Sequence, residues 1–458
     1  MTGAKAPAAR PRSLMAIVLR DTVSQLGARL AVAWIGLLIL GAVFGPFIAN
    51  SFPLIARVDG RWESPMWRYL VPTDVVLLVV FIATIILCGV RQMTVPVKVG
   101  IVIWLLALVI PLALWAVLAR DLSWYRHEYG TGLVVISLGV AFGLDLAVLV
   151  LVPLKLPLSS RQWTILGLFA AALTGILVLH PVKPPTTIIY DQYRELGRAG
   201  RMQFSLPAPV PYSPTDRLRD QPDAQLLAPD TRHWMGTEIN GADVFSRMIH
   251  ASRVALAIGF IATGIAIVAG CAVGGVMGYF SGRVDMLGMR LLEIFEAIPT
   301  LFLLISCVAF FGRSLYLVMV IIGLTSWSGY ARFVRAEFLR LRNQDFVLAA
   351  IAAGLPLRSV LFRHMLPNGL VPVLVSASFG VASAILSESV LSFLGLGLID
   401  EPSWGDLLNQ ATGQGGTFTW WLAVFPGLAI FLTVFSYNLI GEALRDALDP
   451  KLRDGASD

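Results

Sequence analysis

Long apolar runs separated by short basic loops dominate the chain. A helix needs roughly 20 apolar residues to cross a bilayer core about 30 Å thick. By that measure ten spans are predicted, near residues 30–50, 74–90, 99–118, 131–153, 162–180, 254–279, 288–311, 314–333, 368–391 and 421–441. Backbone polar groups in lipid must be satisfied within their own segment, so the expected fold class is an all-α integral membrane protein. The first apolar run follows a basic N-terminus carrying Lys5, Arg10, Arg12, Arg20 and Arg29. It exceeds the apolar core of a signal peptide, about 7–15 residues, and reads as an uncleaved span.

Composition and charge sharpen this picture. Of 458 residues, 57% are hydrophobic and 14% charged, against about 25% charged in soluble domains. The net charge of +6 fits basic cytoplasmic loops rather than nucleic-acid binding. Lys and Arg in the short loops place both termini on the cytoplasmic side of the cell's inner membrane. Residues 181–252 are proline-rich and fall outside, as an element without a large core. The three cysteines, Cys88, Cys271 and Cys307, lie singly in apolar runs and indicate neither disulfide nor zinc.

One loop is not an ordinary connector. Residues 345–367 read DFVLAAIAAGLPLRSVLFRHMLP, bracketed by Arg340, Arg342, Arg358 and Arg363. Residues 346–353 predict a two-turn helix, apolar on nearly all sides as if enclosed by another protein. Asp345 is placed to cap its N-terminus. Gly354 fits the left-handed residue past its end, and Pro356 prevents continuation.

This segment resembles the EAA loop of ABC-importer permease subunits. Ala349, Ala350, Gly354, Leu366 and Pro367 fall at matching positions, while Leu348 replaces the glutamate and His364 an isoleucine. With Asp345 as cap, that glutamate would complete a capping box, half of which Leu348 removes. Residues 233–247, HWMGTEINGADVFSR, are similar to an outer-face motif of the dipeptide, oligopeptide and nickel branch. Gly236, Thr237, Gly241, Asp243, Ser246 and Arg247 match it, and Ala242 departs. Segments 328–335 (SGYARFVR), 387–397 (SESVLSFLGLG) and the end, DALDPKLR, point the same way.

The resemblance implies the second, C-type permease of such an importer. Its six-helix type I core would comprise the first span and the last five, with four further spans inserted. The expected organisation is a basic N-terminus (1–29), first span (30–50), inserted region (51–180) and outer loop (181–252). A core (253–443) containing the coupling loop 334–367 and a cytoplasmic tail (444–458) complete it. Implied partners are a homologous second permease, two ATPase subunits docked on the cytoplasmic side and coupled through the EAA-like loop, an extracytoplasmic solute-binding protein, and the lipid bilayer. The transported solutes would be peptides or similar small molecules.

Glu293, Glu296 and Glu388 lie in or beside predicted spans. Such residues line a path or form a gate with Arg290. Alternatively, Glu293 and Glu296 sit at the cytoplasmic interface, neutralised by Arg290 and Arg283. The five histidines share no close helical spacing, so no metal or other cofactor is expected. No phosphate-binding loop exists in the sequence, so ATP hydrolysis falls to separate subunits and no catalytic residues are assigned. Two other readings remain: a self-sufficient secondary transporter, and a membrane-anchored sensor or scaffold with a vestigial permease core.

Overall fold

The computed structural model describes residues 25–89, 188–221, 223–397, 401–412 and 418–448. Helix α1, Leu26–Ile48, fills the first predicted span with 23 residues and contains Pro46. It runs into a compact unit that holds the described residues from Val43 to Tyr212.

That unit departs from the all-α expectation. Strands β1 (Ile55–Val58) and β2 (Arg61–Glu63) form an antiparallel hairpin. Asp59 and Gly60 join them, both with positive φ, as a two-residue turn matching strand twist requires. A short helix α2 (Pro65–Tyr69), helix α3 (Pro72–Gly89) and helix α4 (Gln192–Arg198) precede β3 (Met202–Leu206). β3 pairs antiparallel with β1, giving the order β2-β1-β3. The hairpin falls in the expected inserted region and β3 in the expected outer loop, so one sheet draws on both. Phe52 centres a small aromatic core, stacked on Tyr69 at 3.7 Å and edge-on to Tyr193.

The second unit holds the described residues through Ala42 and from Ser213 onward. Its spine is α5, Val244–Phe280, whose 37 residues reach about 55 Å, well beyond a bilayer core. Helix α6 (Gly282–Glu296) and α7 (Thr300–Phe311) follow. They meet at 75°, so the stretch expected as one span over 288–311 is broken into two helices. Pro299 lies at the break; it disfavours helix in the residue before it and starts a new one. Helix α7 alone is about 18 Å long, too short to cross.

Helix α8, Leu315–Arg342, packs along α5 through a stripe of glycines. A Cβ at Gly270 would lie 2.5 Å from the Cβ of Tyr330, and one at Gly274 would strike the Ala331 carbonyl. Helices in lipid lack a hydrophobic drive to associate, so close backbone approach through small residues supplies the packing. Helix α9 (Asp345–Ala352) leads through a three-residue helix and a π-helical turn, Val360–Met365, into α10 (Leu366–Leu391). A second π-helical turn, Ser392–Leu396, precedes α11 (Trp404–Ala411) and α12 (Trp420–Leu448).

One core cluster joins Ile35 and Leu38 of α1 with Leu256, Ile385, Trp404 and Ile430. Among the described residues, five helices are long and apolar enough to cross a membrane, or six if the bent α6–α7 pair is one span. Helix α3 overlaps the stretch predicted as a span at 74–90 but is not among those five. The spans predicted at 99–118, 131–153 and 162–180 lie outside the described residues.

Candidate coupling helix and outer-face motif

Helix α9 begins one residue earlier than expected. Gln344, in extended conformation, is its N-cap and makes no side-chain cap bond. Its carbonyl instead accepts from the N–H groups of Val347 and Leu348. Asp345 is therefore the first helical residue, not the cap, because the chain turns helical immediately after Gln344. Its carboxylate still favours the helix N-terminus by charge. The capping-box reading of Leu348 fails for the same reason: Leu348 stands four residues past the cap.

The other end is closed by two bonds. The Gly354 N–H donates to Ile351 O at 2.9 Å and the Leu355 N–H to Ala350 O at 3.2 Å. With Gly354 at φ +71°, this is a Schellman closure, which a residue bearing a Cβ enters only at a cost.

Val347 and Ala350, three residues apart, anchor α9 in a cluster with Phe338, Leu341, Val360 and Met365. The rest of its surface is open. Phe346 is 40% exposed, Leu348 50% and Ile351 45%, with Leu355 and Leu357 continuing the patch. Ala349 is also exposed, and Leu366 and Pro367 open α10 behind it. Arg342, at the end of α8, donates to Tyr279 O and to Ser281 Oγ, tying the loop to the foot of α5.

At the opposite end of α5, residues 233–247 form a buried staple. Asp243 caps α5: its Oδ1 accepts from the Ser246 N–H at 2.8 Å, while its Oδ2 meets His233 Nδ1 at 2.8 Å. Thr237 Oγ1 donates to Ala224 O and accepts from the Leu227 N–H. Gly241 turns the chain at φ +88°, and Gly236 at φ +76° leaves room for Trp421. The Trp421 Nε1–H donates to Thr237 O, and Arg247 pairs with Asp406 of α11 at 3.0 Å. Gly236, Thr237, Gly241, Asp243 and Ser246 are all buried, and Arg247 nearly so. They build the floor of this end of the molecule, whereas Trp234, Phe418 and Trp420 are exposed there.

Glu388 is buried rather than on a surface. Its Oε1 accepts from Ser392 Oγ and Ser403 Oγ, both at 2.7 Å. Glu293 pairs with Arg290 at 2.5 Å, as one expectation had it. Glu296, the last residue of α6, pairs with Arg332 of α8 rather than with Arg283. Sequence reading did not single out His233, Val347, Ser403 or Arg332. The three-residue spacing of Val347 and Ala350 was the visible signal for the first anchoring contact.

No group of three or more His, Cys, Asp or Glu side chains among the described residues is arranged to hold a metal. Residues 250–454 match the family described as "Binding-protein-dependent transport system inner membrane component". The oligopeptide transport system permease protein OppC of Haemophilus influenzae is 43% identical over 223 residues, 48% of this chain and 71% of that protein. Escherichia coli OppC is 43% identical over 230 residues, covering 49% and 76%. The di/tripeptide permease DppC of Pseudomonas aeruginosa is 37% identical over 251 residues, covering 54% and 82%. These relatives favour neither the sensor or scaffold reading nor the secondary transporter. Identity at this level over more than two thirds of OppC shows that the chain belongs to the binding-protein-dependent inner-membrane permeases of ABC importers, in the OppC and DppC branch.

Proposed function

We propose that the chain is one half of a channel for peptides, the second half being a homologous permease subunit. As a member of this family it is a transport component, not an enzyme, and its family implies ATPase and substrate-binding partners. In our reading two ATPase subunits dock on the cytoplasmic side, where both termini also lie, and one of them receives α9. An extracytoplasmic binding protein delivers peptide near the exposed Trp234, Phe418 and Trp420. The four spans inserted within 51–180 return the chain to the side it left, which keeps the core in the family's orientation.

The observation that carries this reading is the half-covered state of α9. Two residues pin it to its own chain while Phe346, Leu348, Ile351, Leu355 and Leu357 stay open. A helix anchored on one side and apolar on the other is suited to a groove on a partner. Rigid attachment to α8 would let movement in that partner reach the spans. Single cysteines at positions 346, 348 and 351 of the assembled importer should crosslink to an ATPase subunit. A membrane-impermeant thiol reagent applied outside should leave them untouched. If none of the three gives an ATPase adduct in an active complex, or if the outside reagent labels them, this assignment fails.

A further inference from the structure

Glu293 and Glu296 occupy the last turn of α6, and no basic residue accompanies them there. A helix C-terminus is the negative end of its dipole, so carboxylates in that place work against the helix. Each is answered by an arginine instead: Glu293 by Arg290 of the same helix, Glu296 by Arg332 of α8. The second pair runs from the 75° break after α6 to a residue inside another span. Arg332 lies about 15 Å along the helix from Arg342 at the basic end of α8.

The two sides of α8 differ at this level. Tyr330, Ala331 and Val334 are sealed against the chain's own core. Ser326, Gly329 and Arg332 are exposed on the other side, together with Leu324 and Phe333. Faces suited to lipid look different: α7 presents Phe302, Phe310 and Phe311, and α12 presents Leu428, Phe431 and Phe435. A charged pair with side chains 47% and 32% exposed, one of them on a helix long and apolar enough to cross a membrane, suits a bundle interior or water, not acyl chains. A face that mixes a charged pair and small residues with apolar ones such as Phe333 suits a path for a peptide, which presents both kinds of group.

We propose that Arg332 is a substrate-contacting residue on the translocation path, held by Glu296 when the path is empty and transferred to the C-terminal carboxylate of a passing peptide. This rests on the reading of the chain as half of a peptide channel. The exchange is between like groups, because the side chain of Glu296 and a peptide C-terminus both present a carboxylate. The planar guanidinium fork accepts either in two parallel hydrogen bonds. Arg332 is therefore never left unpaired, and a pair this exposed is weak enough to open. A solute lacking a carboxylate offers nothing in return for Glu296.

The test uses the complete importer, with its second permease, ATPases and binding protein, in proteoliposomes. Uptake of trialanine is compared with uptake of trialanine amide. The wild type should favour the free carboxylate, and Arg332→Gln should reduce that preference about fivefold or more. The binding protein is the same in both complexes, so its own preference cancels when the two ratios are compared. Glu296→Gln should keep or raise the preference, since Arg332 then has no competing carboxylate. An assembled Arg332→Gln complex whose ratio equals wild type overturns the proposal. If that variant does not assemble, Arg332→Lys decides, because lysine loses the bidentate geometry; an unchanged ratio there overturns it equally. A wild-type importer that takes up neither compound refutes the peptide reading and this inference with it, a result distinct from an unchanged ratio.

Discussion

The guanidinium of Arg253 donates to the carbonyl of Ala42 through Nε at 3.1 Å and Nη2 at 2.8 Å. Ala42 lies four residues before Pro46 in α1. A proline has no N–H, so the carbonyl four residues earlier loses its helical donor. In lipid that oxygen would stay unsatisfied, and Arg253 of α5 replaces the missing donor. One residue thus repairs a defect in another helix and joins the first span to the core. Arg253→Ala should cost about 1–3 kcal/mol, read as a lower thermal midpoint of the purified complex. In a Pro46→Ala background, where the backbone N–H returns, the same substitution should cost clearly less. Equal losses in both backgrounds would show that the Ala42 carbonyl is not what Arg253 serves.

Glu388 fixes a different joint. Its Oε1 gathers Ser392, at the start of the second π-helical turn, and Ser403, the cap of α11. Ser403 Oγ also accepts from the Gly405 N–H at 3.1 Å. Removing the hydroxyl therefore breaks a buried carboxylate bond and a helix cap at once. Ser403→Ala should destabilise the complex by about 1–3 kcal/mol and expose 397–412 to added protease. Ser387→Ala, at a partly open hydroxyl bonded only to the Ser383 carbonyl in its own helix, should leave both readouts unchanged.

What could be read from sequence and what could not divides by the range of the interaction. The spans of α1, α5, α8, α10 and α12 announce themselves by local apolar length. Gly354 announces its left-handed turn because no other residue type enters it freely. The Asp59-Gly60 turn was equally local and legible, but its third strand comes from residues 202–206, and no local pattern links them. The break between α6 and α7 was written in Pro299, which the apolar run around it outweighed. Asp345 looked like a cap because carboxylates favour that place; only the backbone of Gln344 shows where the helix starts. The pairs Arg253–Ala42 and Glu296–Arg332 depend on the packing of whole helices, which residue spacing does not encode.

The position of α9 separates stability from docking. Leu348 is half exposed and lies beyond capping distance. Leu348→Glu therefore has no box to complete and should leave the thermal midpoint nearly unchanged. The same change puts a charge in the apolar patch and should lower recovery of ATPase subunits in pull-downs. Val347→Asp, at a fully buried anchor, should lower both. If Leu348→Glu raised stability and kept ATPase recovery, the patch would not be a docking face.

Two carboxylates, Asp59 and Asp230, set an acid limit. A hydrogen bond from Arg201 holds Asp59 below its ordinary value, and the His233 N–H does the same for Asp230. A lowered carboxylate contributes stability that is present above the ordinary range, about pH 4, and lost as pH falls through its lower folded value. Protease resistance of the 55–63 hairpin should thus stay flat from pH 8 to 5 as far as Asp59 is concerned, then fall below about pH 4. Asp59→Asn should flatten the acid limb. A wild-type loss centred near neutral pH would point to another group.

Two glycines of α5 allow the packing argument to be tested by sign. An added Cβ at Gly274 would run into the backbone of Ala331, which has no flexible end to move aside. Around Gly264, ten residues earlier in the same helix, nothing lies within 4 Å of that Cβ. Alanine in a helix interior is favoured over glycine by about 0.5–1 kcal/mol. Gly264→Ala should accordingly hold or raise the thermal midpoint. Gly274→Ala should lower it by about 1–3 kcal/mol, since overpacking forces the two helices apart. Because α8 leads directly into α9, the second variant should also weaken the link between ATP hydrolysis and uptake. Equal effects at the two positions would mean that the contact of α5 with α8 is looser than a glycine seam.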